Sequence, residues 1–436
     1  MKFYNRKKEI ALLQQIEELS RVNAQMTFIT GRRRIGKTSL LVKATESKKV
    51  IYLFVTKKSE PLLCQEFAET IENSLEVQLF GKISKFSELF NYLLSASKKQ
   101  PFTLIIDEFQ EFFTINESIY SEMQKSWDAN KSESKINLLL CGSIYSLMTK
   151  IFKNSKEPLF GRATQQLHVK PFDLATLKEI LDDYSPNYSK EDLLAFYTFT
   201  GGVAKYVELL VQANAFTLEN ILNVIFSDNS MFLEEGKNIL IDEFGKEYGN
   251  YFSILSLIAS GKKARNEIES ILETPVGGFL DRLENNYGII TKVRPILAKP
   301  NSRKVKYRIE DNFLRFWFRF IYKNRSAIEI GNLEYVSTIV YRDYSTYSGL
   351  TLEKYFTQKL IEEKNHNLIG SYWDRNNESE IDIVAVNELE KTVLIAEVKR
   401  NHNKINLEKL QLKSVKLVEK FKGFSVNYLG FSLEEM

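Results

Sequence analysis

The chain contains few of the residues that stabilise disulfide-rich or zinc-dependent folds. It has two cysteines, Cys64 and Cys141, and three histidines, His168, His366 and His402. Two cysteines offer no disulfide framework, and the histidines lack the spacing of a zinc site. The sequence also lacks an N-terminal signal peptide and an uninterrupted apolar run long enough to span a membrane. We therefore expect a cytoplasmic protein without a structural zinc site.

Charge and composition narrow the class of protein. The chain has 60 basic and 56 acidic residues, so the net charge of +4 does not by itself indicate a nucleic-acid-binding protein. The hydrophobic share of 44% and the aromatic share of 12% are typical of packed globular domains. Because 436 residues exceed what one core can organise, we expect roughly two to four domains.

A glycine-containing loop lies between an apolar run, 26–30, and a helix-like run that starts at Ser39. Its residues are Gly31, Arg32, Arg33, Arg34, Ile35, Gly36, Lys37 and Thr38. Loops of this pattern point main-chain N–H groups at phosphates, while the lysine reaches the β and γ oxygens and the hydroxyl binds Mg²⁺. The following helix adds the positive end of its dipole. The sequence therefore predicts an ATP site that runs from Gly31 to Ser39, with Thr38 as a magnesium ligand.

A second apolar run, 103–106, ends in the adjacent carboxylates Asp107 and Glu108. In an open parallel sheet, ligands bind at the carboxyl ends of the strands. We expect Asp107 to hold Mg²⁺ through water and Glu108 to polarise the water that attacks the γ-phosphate. The alternative is a helix N-cap followed by a solvated acid. The loop with Lys37 and Thr38 favours the first interpretation.

Strand-like runs alternate with helical stretches along the first third of the chain. They cover 26–30, 50–55, 103–106, 136–141 and 166–169. This alternation predicts an α/β fold with a parallel sheet. The fourth run is followed by Ser143, which either contacts the attacking water or the γ-phosphate, or caps the next helix. Arg162 precedes the last run and is either a finger for the nucleotide of a neighbouring subunit or one partner of a surface ion pair.

These motifs, in this order, resemble the archaeal-type ATPase family, a branch of the additional-strand P-loop ATPases related to AAA+ and signalling NTPases. The resemblance includes the opening segment with Arg6 and Glu9, which implies that these two residues border the adenine. An amphipathic helix with solvated charges is the alternative. The family's Gly-Gly-x-Pro lid motif has its counterpart at 201–204, where Ala204 replaces the proline. This replacement puts nucleotide sensing by the lid in doubt.

The middle of the chain predicts a winged helix-turn-helix. Helix-like runs at 251–258, 264–272 and 276–285 precede two strand-like runs, 289–294 and 304–309. The expected wing is basic and carries Lys292, Arg294, Lys299, Arg303, Lys304, Lys306 and Arg308. Such a wing is suited to contacts with the phosphates of DNA. The expected recognition helix is acidic and therefore poorly suited to base readout, so protein docking is the alternative.

An aromatic run, 311–322, is either a base-stacking platform or a core helix. Its helical spacing, with Arg315 and Arg319 expected on the opposite side, favours the core helix. The archaeal-type ATPases carry a similar aromatic segment before their C-terminal domain, so the resemblance extends over almost the whole chain.

A second set of chemical residues lies near the C-terminus. Asp382 lies in one strand-like run, and Glu397 and Lys399 lie on one face of the next. If Asp382 points the same way, the two carboxylates and the Val398 carbonyl can hold a divalent metal, with Lys399 orienting or deprotonating a water. Glu353, on the preceding helix, completes the acidic cluster. The alternative is an exposed ion pair on an edge strand.

This order of residues resembles the PD-(D/E)XK nuclease fold of restriction enzymes and Holliday-junction resolvases. The expected domains are a P-loop ATPase core (1–172), a helical lid (173–240), a winged helix (241–310), a connecting helical segment (311–346) and a small α/β nuclease-like domain (347–436).

The sequence as a whole predicts an ATP-hydrolysing, magnesium-dependent protein that acts on DNA through this last domain. The expected partners are ATP and DNA, with a second copy of the chain or a protein partner and no membrane. The competing hypothesis is a nucleotide-dependent switch that docks on DNA or protein without cutting. A chaperone-like remodelling ATPase ranks last, because no pore loop is recognisable.

Overall fold

A computed structural model describes residues 1–79, 81–299, 301–302, 304–374 and 379–436. The chain divides into one unit of residues 4–171 and another of residues 172–436 together with residues 1–3. Arg303, one of the basic residues of the expected wing, lies outside the described residues. Within the described ranges, no helix combines the length and apolarity needed to cross a membrane.

The described residues of the first unit form a parallel sheet of five strands. The strands are β1 (Gln25–Thr30), β2 (Val50–Phe54), β3 (Phe102–Asp107), β4 (Ile136–Cys141) and β5 (Gln165–His168), in the order β2-β3-β4-β1-β5. Every residue of β3 and β4 is buried, as expected for central strands of a sheet covered on both faces. Because all the strands run in one direction, the loops after β1, β3 and β4 lie at the same edge.

Helices connect and cover these strands. They are α1 (Lys7–Ser20), α2 (Lys37–Ala44), α3 (Glu60–Leu75), α4 (Phe86–Lys99), α5 (Phe112–Ile115), α6 (Ser118–Asn130) and α7 (Tyr145–Lys153). Helix α4 shows why they form: Phe86, Leu89, Phe90, Leu93 and Leu94 recur at helical spacing and are all buried. These side chains join the main apolar core beneath β3 and β4.

The second unit begins with helices. They are α8 (Leu174–Tyr184), α9 (Lys190–Thr200), α10 (Ala204–Gln212), α11 (Leu218–Ile225), α12 (Met231–Phe244), α13 (Tyr248–Ala259), α14 (Arg265–Leu272) and α15 (Gly277–Asp281). Helix α15 continues as a π-helical turn to Asn286. An antiparallel ribbon of β6 (Ile290–Val293) and β7 (Lys306–Ile309) follows.

The two glycines of the expected lid motif permit a close approach of two main-chain segments. Gly202 has a φ of 76°, and a Cβ on it would lie 2.5 Å from the carbonyl oxygen of Phe172. Helix α10 begins at Ala204, the position where the family motif has proline. Proline is favourable at a first helical position but not required there, and here the helix starts without it.

The rest of the second unit is built on one long helix and a mixed sheet. Its helices are α16 (Asn312–Phe316), α17 (Arg325–Glu329), α18 (Leu333–Glu363) and α19 (Leu407–Val418). Its strands are β8 (Leu368–Trp373), β9 (Glu380–Asn387), β10 (Thr392–Val398) and β11 (Ser425–Phe431), in the order β11-β10-β9-β8. The β8–β9 and β9–β10 pairs are antiparallel, whereas β10 and β11 are parallel and are joined through α19.

The aromatic segment is buried, as the core-helix interpretation predicts. Phe313, Phe316, Trp317 and Phe320 are each at most 4% exposed. Arg315, expected on the side opposite the aromatic residues, is buried as well, with only 8% of the residue exposed. Its guanidinium donates to the hydroxyls of Tyr347 and Thr351, so the buried charge of this α16 residue is hydrogen-bonded to α18.

Two of the expected domain boundaries fall inside helices. Helix α12 runs across 240/241, and α18 runs without a break across 346/347. The boundary expected at 172/173 lies one residue from the division between the two units.

We predict that Gly236→Ala destabilises the second unit. A Cβ at Gly236, in the middle of α12, would lie 2.2 Å from the Trp317 ring. Overpacking of this kind costs roughly 1–3 kcal/mol. The matched control is Gly349→Ala in α18, where a Cβ meets nothing within 4 Å and helix propensity gives a gain of about 0.5–1 kcal/mol. Urea denaturation of both variants measures the difference, and equal midpoints would contradict the prediction.

Candidate functional site

The loop after β1 has the backbone that a phosphate-binding loop requires. Gly36 has a φ of 89°, in the left-handed region, and is the N-cap of α2. A Cβ on Gly31 would lie 2.8 Å from the carbonyl oxygen of Val169. Both positions therefore favour glycine, one for its conformation and one for space.

Lys37 lies within this loop. Its side chain is 8% exposed, and its Nζ donates to the carbonyl oxygens of Gly31 (2.9 Å) and Arg32 (3.2 Å). Arg33 and Arg34 are exposed, whereas Ile35 is buried beneath the loop. Ser39 is exposed in the first turn of α2. The loop thus combines a fixed ammonium with the N-terminus of a helix, and these groups fit the phosphates of a nucleotide.

Asp107 joins the loop to the sheet. The Thr38 hydroxyl donates to its Oδ2 at 3.0 Å, and the Tyr52 hydroxyl donates to the same oxygen at 2.6 Å. The main-chain N–H of Glu108 donates to its Oδ1 at 2.9 Å. A hydroxyl and a carboxylate in contact are oxygen ligands of the kind that Mg²⁺ prefers. The residues present therefore fit the expected metal.

Glu108 follows in a left-handed conformation with a φ of 54°. Its Oε2 accepts hydrogen bonds from Ser143 Oγ (2.8 Å) and from Gln110 Nε2. The capping interpretation of Ser143 is wrong, because α7 begins at Tyr145 and Ile144 is its N-cap. Ser143 instead fixes the carboxylate of Glu108, whose side chain makes no capping bond either.

Arg6 is buried rather than solvated. Only 5% of it is exposed, and it donates to the carbonyl oxygens of Lys170 (2.6 Å) and Ile35 (3.4 Å) and pairs with Glu9 at 3.2 Å. The solvated-helix interpretation is therefore wrong for Arg6. This residue holds the loop against the segment that follows β5, and a contact of Arg6 or Glu9 with adenine stays a prediction.

Arg162 lies at the opposite edge of the sheet from the loop. It precedes β5, whose first residue pairs with Thr27 of β1, whereas the last residue of β5 pairs with Thr30. The length of β1, about 16 Å at 3.3 Å per residue, thus separates Arg162 from the loop. Its guanidinium pairs with Asp128 at 3.1 Å and borders a cavity of about 800 Å³. Arg162 is not part of the site formed by Lys37.

Sequence reasoning missed three polar residues around this site. Tyr52 lies in an apolar strand, and burial, followed by the neighbouring Asp107, raises the pKa of its hydroxyl, which keeps it a donor. Gln110 follows the two acids and is fully buried, a position that only the fold reveals. His168 Nδ1 lies 3.1 Å from the Thr30 hydroxyl, immediately before the loop.

The second candidate site lies on β9 and β10. The antiparallel register pairs Ile383 with Ala396, so its continuation places Asp382 opposite Glu397 on one face. Lys399 Nζ is 3.3 Å from Glu397 Oε1, 3.5 Å from Asp382 Oδ2 and 3.2 Å from the Val398 carbonyl oxygen. The ammonium therefore lies among the three groups expected to bind a metal. The chemistry of these oxygens fits Mg²⁺, and metal binding requires the lysine side chain to move.

Charge stabilises the protonated form of Lys399. Burial opposes its charge, but the carboxylates of Asp382 and Glu397 raise the pKa of Lys399 above its ordinary value. An ammonium in this position can orient a water, and proton abstraction by Lys399 stays a prediction.

Glu353 belongs to the same region. Burial, followed by the charge of Asp382, raises the pKa of Glu353 to about 7. Within the described residues its carboxylate makes no hydrogen bond or ion pair.

A separate group of three potential metal ligands occurs among the described residues at His402, Glu434 and Glu435, whose side chains are largely exposed.

We predict that Asp382→Asn lowers the pKa of Lys399, because one of its two carboxylate neighbours is lost. Carbon-13 NMR of labelled lysine side chains measures this pKa, with Lys399→Arg to assign the signal. The control is Glu380→Gln, whose carboxylate pairs with Lys306 at 2.9 Å and not with Lys399. The same Lys399 pKa in both variants would contradict the assignment of its partners.

Comparisons with known proteins agree with the geometry of the first unit. Residues 3–210 match the family described as "ATPase domain predominantly from Archaea". Residues 317–435 match "Archaea bacterial proteins of unknown function". An uncharacterised protein of Methanocaldococcus jannaschii is 30% identical over 406 residues, which cover 91% of this chain and 87% of that protein.

Two solved structures have a similar fold. The Walker-type ATPase of Pyrococcus abyssi superposes with a TM-score of 0.55 at 18% identity, covering 72% of this chain and 96% of that one. The ORC2 protein of Aeropyrum pernix, solved as ADPNP and ADP complexes, gives a TM-score of 0.50 at 14% identity, covering 76% and 96%. The long match to the M. jannaschii protein, together with the matched domain families, shows that the chain belongs to the archaeal P-loop ATPase family.

Proposed function

We propose that this ATPase uses ATP to control a metal-dependent phosphodiesterase in its C-terminal region that acts on DNA. The observation that carries the first part is the contact of Thr38 with Asp107 beside Lys37. In this proposal, Lys37 and the N–H groups of residues 31–36 bind the phosphates. Thr38 and Asp107 hold Mg²⁺, which when bound neutralises charge on the β- and γ-phosphates. Glu108 orients the attacking water, and Ser143 holds Glu108 in place.

The observation that supports the second part is the order of elements around the acidic residues. Helix α18 is followed by the antiparallel strands β8, β9 and β10, then by α19 and the parallel strand β11. This order resembles the PD-(D/E)XK type, with Glu353 on α18, Asp382 on β9, Glu397 on β10 and Lys399 directly after β10. Asp382, Glu397 and the Val398 carbonyl would hold a divalent metal that stabilises charge on the phosphate.

The chain's own residues then have distinct roles. Lys399 orients a water for in-line attack on phosphorus, and the acids accept the proton that the water loses. The phosphorus–oxygen bond to the leaving group breaks, and the leaving oxygen takes up a proton from the acids or from solvent, so that a phosphomonoester and a hydroxyl group result. In this proposal, helices α13–α15 and the ribbon β6–β7 act as the winged helix, and the exposed lysines Lys299 and Lys304 suit contact with DNA backbone.

A non-cleaving switch is the second candidate function. It is favoured by the position of the Lys399 ammonium between Asp382 and Glu397, where a metal would bind. In that case ATP occupancy controls docking on DNA or on a protein, and the acidic site contributes to binding of that partner without cleavage.

We predict cleavage of supercoiled, linear or branched DNA by the full chain in Mg²⁺ or Mn²⁺. Asp382→Asn and Glu397→Gln each lower the rate by roughly a hundredfold or more, since the metal supplies several kcal/mol. Glu388→Gln, at an exposed carboxylate, is the control. Lys37→Ala abolishes the effect of ATP but not metal binding. If the wild-type chain cleaves none of these substrates, the non-cleaving switch becomes the proposed function. If the cleavage rate does not depend on ATP and is unchanged in Lys37→Ala, the coupling between the two sites is wrong.

We also propose that Arg162 acts on the nucleotide of a neighbouring subunit, because it lies at the sheet edge away from its own loop. Lys37→Ala and Arg162→Ala chains are each expected to hydrolyse ATP slowly. An equal mixture should recover about a quarter of wild-type activity, since about one interface in four then joins an intact loop to an intact arginine. If Asp128→Asn slows hydrolysis as much as Arg162→Ala, or if the mixture shows no recovery, the surface ion pair is the role of Arg162 instead.

A further inference from the structure

The ribbon β6–β7 does not project into solvent as a free wing. Ile296, just after β6, donates its N–H to the carbonyl oxygen of Ser371 at 2.8 Å and belongs to the apolar core of the C-terminal sheet. Other members of this core include Tyr372 and Ile381. The ribbon is therefore fixed against β8 and β9 by apolar packing and by a main-chain hydrogen bond.

Strand β7 carries charge on the face that is turned away from its own helices. Tyr307 and Ile309 are buried, whereas Lys306 and Arg308 alternate with them and are half-buried. Glu310 continues the same face. This side of the strand is therefore polar and only partly open to water.

Both ends of this polar face are held next to the acidic site. Lys306 Nζ donates to Glu380 Oε1 at 2.9 Å, and Glu380 precedes Asp382 on the same face of β9. At the other end, Lys354 Nζ lies 3.9 Å from Glu310 Oε2, and Lys354 follows Glu353 on α18. Arg308 is the residue between these two contacts on β7. The strand thus runs along the site and places Arg308 near Glu353, on whose carboxyl its charge acts.

Lys263 approaches from the loop before α14. Its carbonyl oxygen accepts the Tyr307 N–H at 2.8 Å, which places it next to β7. Arg308 and Lys263 both oppose the effect of burial on the pKa of Glu353. Yet within the described residues, neither cationic group makes a side-chain hydrogen bond or ion pair, and neither does the Glu353 carboxylate. Charges of both signs therefore face one another without contact.

We propose that Arg308, with Lys263 beside it, binds a phosphate group of the nucleic acid next to the bond to be cut. The phosphodiesterase site is then composite, with acids and Lys399 from the C-terminal region and phosphate-binding cations from the ribbon and the loop before α14. A guanidinium suits this role because it binds two phosphate oxygens at once. The inference rests on the proposed function, since it names how that site holds its substrate.

The test is binding of a fluorescein-labelled oligonucleotide to the full chain, in a Glu397→Gln background that prevents cutting. Fluorescence anisotropy over a series of salt concentrations gives both Kd and its salt dependence. Arg308→Gln is expected to raise Kd about tenfold and to reduce the slope of log K against log salt by about one. Arg308→Lys should retain the slope and lose part of the affinity. The control is Arg342→Gln, an exposed arginine of α18 that pairs with Asp343.

The outcomes separate this inference from the proposed function. If the parent chain binds the oligonucleotide and Arg308→Gln binds as Arg342→Gln does, Arg308 and Lys263 only balance the acids, and the inference is overturned while DNA binding stands. If the parent chain binds no oligonucleotide at low salt, the proposed function on DNA fails as well. If Arg308→Gln does not fold, Lys263→Gln and Arg308→Lys are measured in its place. The inference is wrong if both of these variants have the affinity and the salt slope of the parent chain.

Discussion

The nucleotide site depends on the buried carboxylate of Asp107. It accepts hydrogen bonds from Thr38 at the start of α2, from Tyr52 in β2 and from the main chain of Glu108. A buried carboxylate without such donors would be strongly destabilising, so these bonds also fix the loop and β2 against β3. The Thr38 hydroxyl donates to Asp107 and keeps its own lone pairs for a cation. The oxygen atoms of the site are therefore held in place by contacts within the protein alone.

The acidic site in the second unit is organised differently. Asp382 and Glu397 are compensated by direct contact with Lys399, whereas Glu353, Arg308 and Lys263 influence one another without contact. Direct ion pairs satisfy charge but occupy the positions that a ligand needs. Charged side chains that are held apart on fixed helices and strands still produce an electrostatic field and leave those positions available for a ligand. Their distance from one another is set by the helices and strands and not by an ion pair. Ile296 and Lys306 supply that fixation by tying the ribbon to β8 and β9.

The local sequence pattern was sufficient to predict the strands of the first unit, but it predicted fewer of the strands of the second unit. The strand expected at 136–141 has these bounds, since a continuous apolar run between polar segments leaves little choice. Strands β8 and β11 were missed because their residues are mostly half-exposed and neither strand is a continuous apolar run. The Tyr52 contact needs the β2–β3 register, and the direction of Arg308 needs the docking of Ile296. Both depend on residues distant in sequence, which no periodicity within one segment can predict.

The proposed coupling between ATP and the acidic site would constrain how the second unit can move. Arg400, directly after Lys399, donates to Glu191 of α9 at 2.6 Å and to the Ser348 hydroxyl of α18. Its side chain is 20% exposed, so separating it from Glu191 would leave a largely buried guanidinium with fewer partners. The end of β10 is therefore attached to α9, in the helical segment that follows the ATPase unit. A signal that reaches Lys399 through this segment has to displace α9 and β10 together, because sliding them past each other would break this ion pair.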